Sequence, residues 1–295
     1  VKNRVARLTT LTALLVPGLA AACGQAGKEA GVADAPASEA PPDSSLVLRV
    51  DHTGGFVTPQ TLATRLPLVS VYADGRVITA GPQTAVYPGP ALPNLVQRTI
   101  AREDVDELVE LALAKGVAGT ADLGRPGVTD MPSTRFTVVS GGRQHVLEAY
   151  ALVRDEMAGA GLTDAQEQAR AELLELVDAL SDLPSTLGPE AAAPEQPYVA
   201  TSVAAVSAPW VAPGDALPAQ PAKEWPGPAL PGEPVVAGDT LGCVTATGDQ
   251  AAAVLAAAQD ANATTPWSSG AGTWSITLRP LLPDEAGCTD LMSKS

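Results

Sequence analysis

Leu46, Leu48 and Val50 alternate with other residues, the period of a strand with one covered face, and they open the first run of predicted structure. Two more strand-like runs, Leu68 to Ala73 and Arg76 to Ala80, flank Asp74-Gly75, a pair suited to a two-residue hairpin because both residue types tolerate positive φ. From Arg102 to Lys115 the period becomes helical. Val105, Leu108, Val109 and Ala112 share one side, Glu103, Asp104 and Asp106 occupy the first turn, and Gly116 follows as a stop. Arg135 to Ser140 and Arg143 to Ala149 flank Gly141-Gly142, a second hairpin. Thr163 and Gln166 stand at capping-box spacing ahead of the stripe Ala169, Leu173, Leu176, Val177 and Leu180. Strand, hairpin, helix, hairpin, helix predicts an α+β domain over residues 46–183, an antiparallel sheet with helices on one face.

Residues 184–197 are rich in Pro and Ala and read as a linker to a second, smaller α+β domain over 198–295. There Tyr198 to Val206 is apolar and strand-like, and Pro209 to Pro234 is a long Pro/Gly-rich stretch. Leu241 to Thr245 predicts a strand. Thr247 and Gln250 repeat the capping-box spacing before a helix over Val254, Leu255, Ala258 and Ala261, and Thr273 to Leu282 closes as a strand. The heptapeptide Tyr87-Pro-Gly-Pro-Ala-Leu-Pro93 recurs as Trp225-Pro-Gly-Pro-Ala-Leu-Pro231. Either it marks a duplicated α+β unit or it is coincidence in a Pro-, Ala- and Gly-rich chain.

The N-terminal segment is patterned differently. Lys2, Arg4 and Arg7 precede an apolar or neutral run from Leu8 to Leu19, and Ala20-Ala21-Ala22 lead into Cys23. Positive residues, a short apolar stretch and small residues at the cut form the order of a secretory signal. A cysteine directly after them resembles the lipobox of bacterial lipoproteins, of the kind common in actinobacteria. The resemblance implies a signal peptide over 1–22, acylation of Cys23 (diacylglycerol on the thiol, palmitate among the chains) and anchoring on the outer face of the cytoplasmic membrane. Residues 23–45 then form a lipidated tether whose Ala, Pro, Ser, Gly and acids cannot bury a core.

The 33 acids against 18 Lys and Arg give a formal net charge of −15, and loss of the leader would make it more negative. Such a surface repels phosphates, which excludes a nucleic-acid partner, and contact with membrane lipid is expected only through the anchor. With Cys23 consumed by lipid, Cys243 and Cys288 form an even pair in an oxidising compartment, so a disulfide is expected; two buried free thiols are the alternative.

Catalytic and metal motifs are missing from the sequence. His52 and His145 stand at no ligand spacing, although Asp51, Asp74, Asp130 or Glu148 could be imagined beside them, and no nucleophile elbow or phosphate loop is present. Neither a cofactor nor a metal is expected. Arg49-Val-Asp-His-Thr-Gly-Gly-Phe56 resembles the opening strand and Gly-Gly-Phe turn of emfourin-type inhibitors of thermolysin-like metalloproteases. The helix near Leu108 to Gly116, the hairpin Arg135 to Val146 and the closing Leu-rich helix take similar places. The chain departs from that pattern at Val57 to Arg65 and at Gly81 to Asn94. The expectation is a non-catalytic, lipid-anchored module of the cell envelope that binds an extracellular protein or another envelope component, its ligand unknown, with Gly54, Gly55 and Phe56 as candidate surface. A protease inhibitor is the first alternative and an enzyme without a recognisable motif the second.

Overall fold

The computed structural model describes residues 43–154, 161–212, 214, 220–236, 238 and 240–292, all within one compact unit. Cys23 and the expected leader and tether up to residue 42 lie outside the described residues. The fold is α+β, with helices and two largely antiparallel sheets.

The first sheet collects the strands that alternation predicts. Strand β1 (Leu46–Thr53) leads to a short helix α1 (Pro59–Thr64), then to the hairpin β2 (Val69–Tyr72) and β3 (Arg76–Ala80). Strand β4 (Leu95–Thr99), helix α2 (Arg102–Ala114) and the hairpin β5 (Ser133–Ser140) and β6 (Arg143–Tyr150) follow. Helices α3 (Asp164–Ser181) and α4 (Leu183–Leu187) and the two-residue strand β7 (Gln196–Pro197) complete this half. The strand order is β6-β5-β1-β2-β3-β4-β7. Both predicted hairpin turns form, with φ of +86° at Gly75 and of +57° and +73° at Gly141 and Gly142. Leu48, Val50, Val71, Phe136 and Val138 bury one face of this sheet against Leu108 and Ala112 of α2 and Leu173, Leu176 and Leu180 of α3. The Thr163–Gln166 capping box is made in both directions.

The second sheet has the order β10-β11-β8-β13-β12-β9. Its strands are β8 (Ser202–Pro209), β9 (Lys223–Glu224), β10 (Glu233–Pro234), β11 (Gly242–Thr247), β12 (Trp267–Ser269) and β13 (Gly272–Pro280), with helices α5 (Gly248–Gln259) and α6 (Cys288–Met292). β12 pairs with β9 in parallel, an exception to the expected antiparallel pattern. At the start of α5 the Thr247 side chain makes no capping bond, contrary to the sequence pattern; Gly248, at φ +55°, starts the helix from a left-handed residue instead.

Three features differ from the expected pair of domains on a linker. The 184–197 segment is built into the structure: β7 pairs with β4, and Ala193 N–H bonds the Thr99 carbonyl at 2.9 Å. The second sheet is covered on both faces rather than one. Val203 and Ala205 of β8 pack with α5 and Trp267, while Ala204 and Val206 pack with Ala63 of α1 and Leu291 of α6. Helix α1, which alternation does not reveal, therefore comes from the first half and shields the second. The remaining face of the first sheet also has partners, since Tyr72, Ile78 and Leu95 close a small core with Leu282 and Tyr198.

The repeated heptapeptide sits in two unlike settings. Trp225 is buried edge-on against Trp267, whereas Tyr87 is exposed and only its Ala91 and Leu92 reach the same cluster. The hairpins that follow join their sheets differently: β5, the first of its pair, meets β1, but β13, the second of its pair, meets β8. The two halves thus have different topologies.

Candidate functional site

β1 ends at Thr53, and the next three residues form a turn in which Gly54 and Gly55 have φ of +61° and +87°. A side chain at Gly55 would also press on the Pro132 backbone nitrogen at 3.3 Å. Two glycines in this order let the chain reverse tightly and throw the next side chain outward. Phe56 is 86 % exposed, the most exposed large apolar residue among those described, and Val57 beside it is 42 % exposed. The turn is nevertheless anchored. Phe56 N–H bonds the Asp130 carbonyl at 3.1 Å, and Arg65 Nη1 donates to the carbonyls of Gly54 at 3.0 Å and His52 at 3.3 Å.

Because β5 runs antiparallel to β1, and β6 antiparallel to β5 on its far side, the start of β5 and the end of β6 lie at this same end of the sheet. Here stand Asp130 at φ +64° and Ala151 at φ +49°, the two non-glycine residues with positive φ among the described residues. Each sits in a region that L side chains disfavour, and such strain persists only where the surroundings enforce it. Ala151 N–H bonds the Pro132 carbonyl at 2.9 Å, and the Tyr150 hydroxyl donates to Val128 O at 3.0 Å under the Arg125 guanidinium, 3.9 Å from the ring centre. Arg170, buried on α3, donates to the carbonyls of Tyr150 at 2.8 Å, Ala151 at 2.6 Å and Leu123 at 3.3 Å. Burial lowers its pKa, the expected sign for a cation held by neutral carbonyls. Val153, 37 % exposed, follows this corner, its N–H bonding the Ala151 carbonyl at 3.1 Å.

The histidines and acids considered as a metal set are dispersed. Asp74 pairs with Arg76 at 2.7 Å and Glu148 with Arg135 at 2.6 Å, while His145 lies on edge strand β6. Among the described residues no group of three or more His, Cys, Asp and Glu is placed to hold a metal ion. His52 is half-buried at the end of β1, its Nδ1 3.4 Å from the Thr134 hydroxyl; burial first, and the Arg65 charge second, lower its pKa.

The strongest electrostatics lie where the C-terminal segment crosses between the sheets. Arg49 binds Asp284 through both terminal nitrogens, at 2.7 and 3.0 Å, and reaches Ser70 and Tyr72. Arg279 and Glu285 pair at 2.9 Å with side chains only 1 % exposed each. Burial and the neighbouring acids Asp284 and Glu285 push the Tyr72 phenol well above its ordinary range, outweighing the opposing Arg49 charge. These groups answer one another inside the fold.

Cys243 and Cys288 form the expected disulfide, with Cα atoms 6.0 Å apart. Surface hollows among the described residues include an open one of about 500 Å³ beside that bond, a groove of about 380 Å³ over β1, β5 and β6, and an apolar dimple of about 210 Å³ between α2 and α3. No described helix is long and apolar enough to cross a membrane.

Sequence reading found Gly54, Gly55 and Phe56. It named Asp130 only beside the histidines and missed its carbonyl as the anchor of the Phe56 amide, and it missed Ala151 and Arg170 at the neighbouring corner after β6. An arginine within the apolar stripe of a helix is the one signal that could have pointed to Arg170. No family model, no curated protein and no solved structure matches this chain.

Proposed function

We propose that the chain is a non-catalytic binding module, exported and held to the membrane by acylated Cys23, that engages an extracellular protein through the loop end of its first sheet. The observation that carries this reading is Phe56, an aromatic side chain 86 % exposed on a turn whose backbone is anchored on both sides. A solvated aromatic gains little for the isolated fold, whereas a preorganised one loses little entropy when it enters an apolar pocket. Val57 would form part of the rim, and Asp130, whose carbonyl holds the Phe56 amide, a nearby polar group.

Photo-crosslinking in the native envelope tests this. A crosslinker at position 56 is compared with one at Val211, which is 79 % exposed on the second half. The expected result is a discrete adduct from position 56 alone, competed by unlabelled wild-type chain and not by Phe56→Ala. Equal adducts from both positions, or equal competition by Phe56→Ala, would overturn the reading.

The same turn supports a second reading, inhibition of a metalloprotease. A rigid aromatic turn has the form a protease's apolar specificity pocket accepts. Titrating a thermolysin-like enzyme with the chain separates the two readings: stoichiometric loss of activity, relieved in Phe56→Ala, supports inhibition, and undiminished activity rejects it.

A further inference from the structure

We propose that His52 and Arg65 form a pH-sensitive latch on the turn that presents Phe56, opening on acidification. The inference rests on the reading of that turn as a binding surface and names its regulation.

The latch is a short chain of contacts. Arg65 is the cation that ties down the Gly-Gly turn, because one of its nitrogens serves both the His52 and Gly54 carbonyls. His52 and Arg65 line one small hollow, with Arg65 Nη1 3.3 Å from the His52 carbonyl, and the guanidinium charge disfavours a charged ring. The neutral ring tolerates this neighbour, with Nδ1 3.4 Å from the Thr134 hydroxyl. A protonated ring faces Arg65 as a second cation. The group that can yield is Arg65, since its bonds to the two carbonyls are partly exposed and can be replaced by water.

The other groups around the ring set the balance. Asp51 on the same strand and the Ser133 carbonyl on β5 favour the charged ring, but they rank below burial and Arg65. Arg49, Arg279 and Glu285 line the same small hollow, and Arg49 and Arg279 are already matched by Asp284 and Glu285. Asp51 and Ser133 thus offset burial and the Arg65 charge only in part. Since the fold favours the neutral ring, its contribution is complete above the ordinary value of 6.5 and is lost as pH falls through the lowered value. The turn should therefore be tight near neutrality and loose in mild acid. An interface built on Phe56 would weaken over the same interval, because the turn would have to be reordered on binding.

The chain has two histidines, which makes the test specific. Amide and imidazole NMR of the isotope-labelled full chain is recorded between pH 7.5 and 5. The expected result is that His52 titrates below 6.5 and that the amides of Gly54, Gly55 and Phe56 shift with its midpoint. The protection factor of the Phe56 amide, its exchange rate corrected for the intrinsic pH dependence, should fall about fivefold on the acid side, the effect of losing one ordinary hydrogen bond's stabilisation. His52→Gln should abolish the loop titration, His145→Gln should leave it intact, and Arg65→Gln should raise the His52 midpoint and loosen the turn at every pH. Loop amides that ignore the His52 titration, or that still titrate in His52→Gln, would overturn the latch. These readouts involve no partner, so failure of the binding reading and failure of the latch are distinguishable.

Discussion

Phe56 and Gly75 show how differently one side chain can matter. The ring of Phe56 is almost wholly in water, so Phe56→Ala should change stability by no more than about 0.5 kcal/mol while removing whatever binding the turn supports. Gly75 has no exposed counterpart to lose. Its φ is +86°, and a Cβ there would fall 2.3 Å from the Ile100 carbonyl oxygen. Gly75→Ala should therefore cost more than about 2 kcal/mol, since left-handed strain alone accounts for about 1–2 and the clash adds to it. Urea midpoints of the two variants decide both claims, and a destabilised Phe56→Ala would mean that the ring packs after all. Asn262 is a third instructive residue. Its side-chain Oδ1 accepts from Thr264 N–H at 3.0 Å and from Gln220 Nε2 at 3.2 Å, so Asn262-Ala-Thr264, although it matches a glycosylation sequon, builds a turn.

Among the elements, the corner between β6 and α3 is the one whose removal is most informative. Ala151 holds a positive φ because Arg170 draws its carbonyl and that of Tyr150 toward α3. Arg170→Met keeps the stem's packing and removes the donors. It should cost about 1–3 kcal/mol and raise amide exchange over residues 150–153 well above that in the body of β5. Unchanged exchange there would mean that Pro132 alone fixes the corner. This arrangement also marks where sequence reading stops. Hairpins at Asp74-Gly75 and Gly141-Gly142 and the helices over 102–114 and 164–181 were legible because period and turn chemistry are local. Helix α1 was not, since Pro59–Thr64 is short and its single buried residue, Ala63, faces the other sheet. For the candidate site, Gly-Gly-Phe was legible as a local turn with an odd aromatic. Its partners Asp130, Ala151 and Arg170 lie about 75 to 115 residues away and come together only through strand pairing, which no local pattern encodes.

Across the whole molecule, attachment to the membrane and the unity of the fold are separate claims. Replacing Cys23 by Ser should leave the precursor unacylated and stop lipoprotein-type cleavage; membrane partitioning equal to wild type would reject the anchor. The unity of the fold turns on residues 281–292. Within this stretch Asp284 holds Arg49, Glu285 holds Arg279, and Cys288 is bonded to Cys243. Breaking a buried pair by one partner leaves an unanswered charge, so Glu285→Gln should cost about 3–5 kcal/mol. Replacing Arg279 and Glu285 together by Met and Leu should recover most of that. Reduction of the disulfide frees a 45-residue separation and should remove up to roughly 4 kcal/mol on the loop-entropy account. If the first sheet were an independent domain, neither change would touch it. The structure argues otherwise. Arg49 on β1 depends on Asp284, Tyr72 and Ile78 are closed by Leu282, and α1 lies on the second sheet. All four tryptophans follow residue 198, so their fluorescence reports the second sheet, while amide exchange at Val71 and Leu108 reports the first. On reduction, the two probes should melt together at a lower temperature. Loss of the tryptophan signal while Val71 and Leu108 remain protected would show instead that the halves are separate domains and that the bridging ion pairs contribute little to cooperativity.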